Sequence, residues 1–450
     1  MICAGGHRGA APPSAPIGED AAVPAPYTSA LAEALAPDLL ERFLRYVRVD
    51  TQARRDAAEV PSSPGQLELG RRLTQELHAT GLDDAIQDPH GIVFATLPGT
   101  GAAADAPAIG LIAHVDTSPD APGAGVQPIV HRDYDGGVLR LPRGGTVLDP
   151  AAMPELAACD GHDLVSSSGD TLLGADDKAG VAEVMSAVAH LATRSDLVRP
   201  PIRVAFTCDE EIGEGATHFD VARFGARCAY TVDGSTVGEL QDETFSAVEA
   251  IVTIAGVDIH PGWAKDRMVN AARLAAMLLA ELPRDRLTPE TTADRGGFLH
   301  PYEVTATAGR ATVRFILRDF DDELLAGHVA LLRETAERVV AAASGAKLDV
   351  AVREQYPNMR RHLEPFPEVT ALAEAAIRAE GLEPVRTPIR GGTDGSRLSA
   401  MGLPTPNIFT GGHEYHSVRE WASVHEMAAA AATLVRLAET WGERATRAAP

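Results

Sequence analysis

The sequence predicts an α/β protein: a mixed central sheet flanked by helices, interrupted by a smaller βαββαβ unit with its own sheet. Three observations predict it. Ala108 to His114 is an unbroken apolar run, as expected of a strand buried on both faces of such a sheet. Four strand candidates in turn end in polar constellations: His114 and Asp116, Glu210 and Glu211, Asp233, and His416. Ligands of open α/β sheets sit at the carboxyl ends of the strands, so these distant segments converge on one edge. Between about residues 246 and 355 the pattern changes to alternating strands and two helices, and then reverts.

Taken in order, residues 1–26 are rich in Ala, Gly and Pro, lack periodicity, and read as a disordered extension. A helix near Ser29 to Val47 carries Leu31, Leu35, Leu39, Leu40, Phe43 and Leu44 at helical spacing. Pro61 to Gly65 reads as a loop, followed by a helix over Gln66 to Ala79 that ends before Gly81. Strands follow at Ile92 to Leu97 and Ala108 to His114. Thr117 to Gly161, with many Pro, Gly and Asp, reads as long loops with short strands. Asp176 and Asp177 stand at a strand-to-helix turn, with the helix running from about Gly180 to Thr193. Strands at Ile202 to Cys208 and Ala229 to Val232 lead to the next acids. The insert reads as strand Ala247–Ala255, helix Met268–Leu282, a hairpin of Tyr302–Thr307 and Ala311–Phe320, helix Asp321–Ala343 and strand Lys347–Arg353. That order is ferredoxin-like. Strand Asn407–Phe409 and helices at Pro367–Ala379 and Ser423–Glu443 close the chain. The expected organisation is an extension at 1–26, a main domain in two parts at 27–245 and 356–450, and an inserted domain at 246–355.

Composition narrows the function. The 450 residues carry 63 acidic against 40 basic side chains, a formal charge of −23. Such a surface argues against nucleic acid and against anionic membranes as partners. Cys3, Cys159, Cys208 and Cys228 form no C-x-x-C pair, which points to free thiols in a reducing compartment. No apolar segment marks a secretory signal, and the longest apolar helical run, around Leu274 to Leu282, is too short to span a bilayer. A cytoplasmic protein is expected by elimination; the oligomeric state is not legible.

The polar constellations point to metal chemistry. Two adjacent acids, Asp176 and Asp177, repel each other unless a cation or proton settles them. Helix capping accounts for one of them and not for both. His114 and Asp116 lie on the same side of an extended chain, as a metal-binding imidazole and its orienting acceptor do. Taken singly, each cluster has an ordinary explanation: a structural histidine, a solvated acidic turn, a surface His413 or His416. All of them at strand ends is another matter. Two histidines with three or more carboxylates suit zinc better than magnesium or calcium. With Glu210 and Glu211 adjacent, one can bind metal while the other serves as general base.

The segments Gly110-Leu-Ile-Ala-His-Val-Asp-Thr-Ser-Pro-Asp120, Leu172-Leu-Gly-Ala-Asp-Asp-Lys-Ala-Gly180, Asp209-Glu-Glu-Ile-Gly213, Tyr230-Thr-Val-Asp-Gly234, Ile389-Arg-Gly-Gly-Thr-Asp-Gly395 and Asn407-Ile-Phe-Thr-Gly-Gly412 carry a family resemblance. Over roughly residues 30 to 445 the chain resembles the tripeptide aminopeptidases of the M20 family of di-zinc metallopeptidases. The resemblance implies two zinc ions per subunit, one held by His114, Asp176 and Asp233 and the other by Asp176, Glu211 and His416. It implies that Asp176 bridges them, that Asp116 orients His114, that Glu210 is the general base, and that the peptide bond after Asp176 is cis. The insert is then a lid. His260 resembles the family's oxyanion-stabilising histidine, and Asn270, Arg318 and Arg390 resemble residues that grip the carboxylate end of a small peptide. An arginine fork suits a carboxylate; the ordinary alternative for Arg318 is an ion pair with Asp319 or Asp321. The rival functions are another M20-type dipeptidase or amide deacylase, and a noncatalytic peptide-binding protein on the same scaffold.

Overall fold

The computed structural model describes residues 27–448. The extension read at residues 1–26 lies outside the described residues. The central sheet has eight strands, in the order Ile86–Gln87, Val93–Leu97, Ile202–Thr207, Ile109–His114, Cys228–Gly234, Asn407–Phe409, Glu239–Gln241 and Val385–Arg386. Its four middle strands are parallel, and antiparallel pairings on either side of them make the sheet mixed. Every residue of Ile109–His114 is buried, which is why that run is apolar throughout.

Helix Ala175–Ala192 lies directly on the sheet, and helices Ala30–Tyr46 and Val424–Ala448 pack over it. Being covered on all sides, the middle helix is apolar nearly all round, whereas Ala30–Tyr46 buries one stripe that includes Leu35, Leu39 and Phe43. Each such fully buried Leu or Phe contributes about 1.5–3 kcal/mol. Ser29 starts the first helix by accepting the Ala32 N–H on its hydroxyl.

The insert is a second sheet with a core of its own. Its strands lie in the order Phe298–Ala306, Arg310–Asp319, Ser246–Ala255 and Lys347–Tyr356, all antiparallel. Helices Ala271–Glu281 and Asp322–Ala341 cover it. The second, third, first and fourth strands of βαββαβ thus stand side by side, the ferredoxin-like order. Where the chain enters and leaves this sheet, the two crossings are laced together. Asn358 accepts the Thr244 N–H at 3.3 Å and gives its own N–H to Ser246 Oγ at 2.8 Å, and the Met359 N–H reaches Thr244 Oγ1 at 3.1 Å.

Several boundaries differ from expectation. The helix expected from Gly180 begins at Ala175, and Asp176 and Asp177 sit inside its first turn with non-helical backbone angles. No strand leads directly into that turn; the preceding one, Leu164–Ser166, belongs to a small separate sheet with Gly412–His413, Trp421–Ser423 and Ile129–His131. Pro64 opens the second helix instead of closing a loop, because a missing N–H costs nothing at a helix start. Strands Glu239–Gln241 and Val385–Arg386 are too short to leave any periodicity in the sequence.

Candidate metal centre

Five side chains come together, His114 and Asp233 from parallel strands of the central sheet, Glu211 from the turn after a third, Asp176 from a helix start and His416 from a loop. His114 ends its strand 3% exposed. Its Nε2 lies 3.0 Å from Asp176 Oδ1 and 3.6 Å from Asp233 Oδ1. On the other side, His416 Nε2 lies 3.1 Å from Asp176 Oδ2 and 2.9 Å from Glu211 Oε2. His114, Asp176 and Asp233 form one group whose ligand atoms all lie within 4.8 Å of one another; Asp176, Glu211 and His416 form a second. Asp176 is the shared member and turns one oxygen to each group.

The surroundings hold this arrangement. Asp116, fully buried, places Oδ1 3.4 Å from His114 Nδ1. Its two oxygens also accept the N–H groups of Glu210 at 3.0 Å and Glu211 at 3.1 Å. One side chain therefore faces the histidine and fixes the backbone of the acid pair. Asp209, the third acid of that run, has a structural task. It adopts φ 62° and binds the N–H of Ser62 at 2.6 Å and the amide of Gln66 at 2.6 Å. The peptide bond Asp176–Asp177 is cis. Asp177 turns inward to accept the His114 N–H at 3.0 Å and the Gly180 N–H at 3.1 Å. Gly180 is obligatory here, since a Cβ would fall 1.9 Å from the Val232 carbonyl oxygen.

Glu420, which sequence reasoning missed, organises the turn from below. Its carboxylate accepts the N–H groups of Leu173 at 2.7 Å, Gly174 at 2.8 Å and Asp176 at 3.0 Å. It follows His416 by four residues, in a turn without periodicity, so its bonds to the distant Leu173–Asp176 turn leave no spacing signal. His413 turns away from the cluster: it pairs with Glu426 at 2.7 Å and stacks on Trp421.

Electrostatics describe a site built for cations. Burial pushes Glu211 up to about 8 and Asp233 up to about 6, and Asp176 adds to both. Burial opposes charge on His416, but Asp176 and Glu211 carry it up to about 11. Burial also raises Asp176, yet His114 and His416 hold it below the usual carboxylate range. Burial raises Glu210 strongly, with Asp394, Asp233 and Glu211 acting in the same direction. Protons on the histidines thus balance acids that would otherwise repel one another. Glu211 Oε1 is buried with no hydrogen-bond partner. Imidazoles, crowded carboxylates and a bare buried carboxylate oxygen together fit a pair of divalent metal ions.

The residues expected to meet the substrate make other bonds in this structure. His260 is exposed, accepts the Gly262 N–H at 3.1 Å and packs on Trp263. Asn270 caps helix Ala271–Glu281 through the Arg273 N–H. Among the described residues, neither makes a hydrogen bond or ion pair with the metal-capable groups. Arg318 forms no ion pair with Asp319 or Asp321; it gives Nη1 to the Arg390 carbonyl at 3.3 Å and leaves Nε buried without an acceptor. Arg390 spends its guanidinium on the insert, bonding the carbonyls of Thr292, Asp294 and Gly296 and the Thr292 hydroxyl.

Comparison with known proteins identifies the family. Residues 172–440 match the model of peptidase family M20/M25/M40. A peptidase T from Vibrio parahaemolyticus is 46% identical over 401 residues, which cover 89% of this chain and 98% of that protein. The structure of an aminopeptidase PepT from Bacillus cereus superposes with a TM-score of 0.70 at 24% identity, covering 90% of this chain and 98% of the other. That of a tripeptidase from Staphylococcus aureus gives 0.71 at 21% identity, covering 91% and 99%. A family match over well over half the chain, and close relatives spanning almost all of it, place this chain in peptidase family M20/M25/M40, on its peptidase T branch.

Proposed function

We propose that the chain is a cytoplasmic tripeptide aminopeptidase that works with two zinc ions. The single observation that carries the reading is the shared carboxylate of Asp176, one oxygen toward His114 and the other toward His416. Around it, His114, Asp176 and Asp233 would hold one ion, and Asp176, Glu211 and His416 the other. Bound there, the ions would supply Lewis acidity, making a water more acidic and polarising the scissile carbonyl. The names of the similar proteins, peptidase T and a tripeptidase, support the substrate class. Buried free thiols at Cys159, Cys208 and Cys228 support a reducing compartment.

The chain's own residues have distinct tasks in this reading. Glu210 takes a proton from the attacking water and returns it to the leaving amine. Burial raises its carboxyl, which favours uptake of a proton. Asp116 fixes the backbone N–H groups of Glu210 and Glu211, so base and ligand keep their relative aim. Residues 246–355 act as a lid on a body formed by 27–245 and 356–450. When the lid closes, His260 steadies the developing negative charge, and Asn270 and Arg318 hold the carboxylate end of the peptide. Arg390 serves this grip through its carbonyl, which anchors Arg318.

One assay tests the reading. A free tripeptide, the corresponding dipeptide and the N-blocked tripeptide are incubated with the enzyme, with and without a chelator. Chelator-sensitive cleavage of the free tripeptide alone is expected. Preference for the dipeptide or for the blocked peptide indicates a dipeptidase or a deacylase, and no cleavage of any of them indicates a binding protein.

A further inference from the structure

The loop that carries Glu210 and Glu211 is held at both ends by a segment almost two hundred residues away. Strand Ile202–Thr207 delivers the loop, and Thr207 pairs with His114 in the sheet register. The Thr207 hydroxyl donates to Asp394 Oδ2 at 2.7 Å. Asp394 is 4% exposed, in the first turn of helix Asp394–Ala400. The same carboxylate presses on the loop's exit. A Cβ at Gly215 would lie 2.3 Å from Asp394 Oδ1 and 2.5 Å from Oδ2. One turn further on, Arg397 reaches the other glycine of this stretch: a Cβ at Gly213 would lie 2.9 Å from its Nη2. Gly213 also has φ +79°, so a side chain there meets both a steric and a conformational barrier.

We propose that Asp394 is a positioning residue for the general base, bracing the Glu210–Glu211 loop between Thr207 and Gly215. Three observations carry it. The carboxylate is buried where a solvated acid would cost less. Its hydrogen-bond partner is the last strand residue before the loop. The two glycines after the acid pair are those whose missing side chains make room for Asp394 and Arg397. Asp116 fixes the loop's backbone through the Glu210 and Glu211 N–H groups, and Asp394 braces it at Thr207 and Gly215. A base displaced by about 1 Å loses on the order of 10²-fold in rate.

The inference rests on reading Glu210 as the base, so Glu210→Gln is run alongside. Asp394→Ala, Asp394→Asn and Gly215→Ala are prepared as metal-loaded enzymes, and kcat, KM and bound metal are measured. Asp394→Ala is expected to lower kcat roughly 10²-fold, with KM within about threefold and metal content unchanged. Asp394→Asn keeps an acceptor for Thr207 and is expected to recover most of the loss. Gly215→Ala, whose methyl displaces the carboxylate, is expected to lower kcat in the same way, and it stands in if Asp394→Ala does not fold. Wild-type kcat in both Asp394→Ala and Gly215→Ala overturns the inference, as does a loss of metal or a matching rise in KM. If Glu210→Gln retains turnover, the reading of the base fails instead. Faster amide hydrogen exchange across residues 213–217 in Asp394→Ala then still supports the brace, and unchanged exchange overturns it.

Discussion

At the scale of single residues, the acid pair shows how adjacent and chemically alike side chains take different tasks. Glu211 points Oε2 at His416, whereas Glu210 has no ion-pair partner among the described residues. Glu210→Gln should therefore bind metal normally yet lose turnover by at least roughly 10²–10⁴-fold, the usual effect of a missing base. Metal analysis beside a rate measurement checks both halves. Proton linkage offers a second test. In the metal-free protein, His416 at about 11 and Glu211 at about 8 both carry protons at neutral pH. Metal must displace them, so binding should release protons. Apparent affinity should climb steeply with pH up to about 8, where Glu211 has lost its proton, and less steeply above. Competition titrations against a chromophoric chelator at several pH values measure this, and an affinity independent of pH would contradict it.

At the scale of elements, the turn at Leu173–Asp176 depends on a carboxylate that no motif announces. Glu420 accepts three N–H groups, and an amide in its place presents an N–H to at least one of them. Glu420→Gln should weaken metal binding about 10–100-fold, as the loss of a ligand-orienting partner commonly does, while circular dichroism stays unchanged. The helix after the turn tolerates even less. Gly180→Ala sets a methyl against the Val232 carbonyl and should cost about 1–3 kcal/mol of stability, read from denaturant midpoints. Elements with a strong period, such as Ile109–His114 and Ala30–Tyr46, were legible because burial leaves one face or both faces apolar. The first turn around Asp176 was not, because its shape depends on bonds to residues far along the chain.

At the scale of the whole molecule, Arg390 links body and insert. Its guanidinium binds the loop at residues 292–296, and its carbonyl binds Arg318. Arg390→Ala should raise amide hydrogen exchange across residues 292–296 and leave bound metal unchanged. Among the described residues His260 and Asn270 make no hydrogen bond or ion pair with the metal-capable groups, so a moving insert would serve their proposed work. The laced crossings at Thr244 and Asn358 are the place for such a hinge. Spectroscopic labels on helix Asp322–Ala341 and on helix Pro367–Ala379 should approach each other when an uncleavable peptide analogue binds. An unchanged separation would make the insert a fixed part of the architecture.

The sequence by itself determined the α/β class and the βαββαβ insert, and its likeness to the M20 family named the residues of the candidate metal centre. The class and the insert follow from apolar periods set by burial. The sequence also carried enough of the family's motifs to separate this branch from a generic hydrolase. Tertiary structure alone decided which acid does what. Asp209 became a structural acceptor, Asp116 a clamp on two backbone N–H groups, Glu420 the acceptor for the turn before Asp176, and Asp394 the acceptor for Thr207. It also gave the Arg390 guanidinium its partners in the insert loop. The reason is physical. Residue type and spacing say what a side chain is able to bind, but partners separated by 94 to 247 positions in the chain are chosen only when the sheet closes around them.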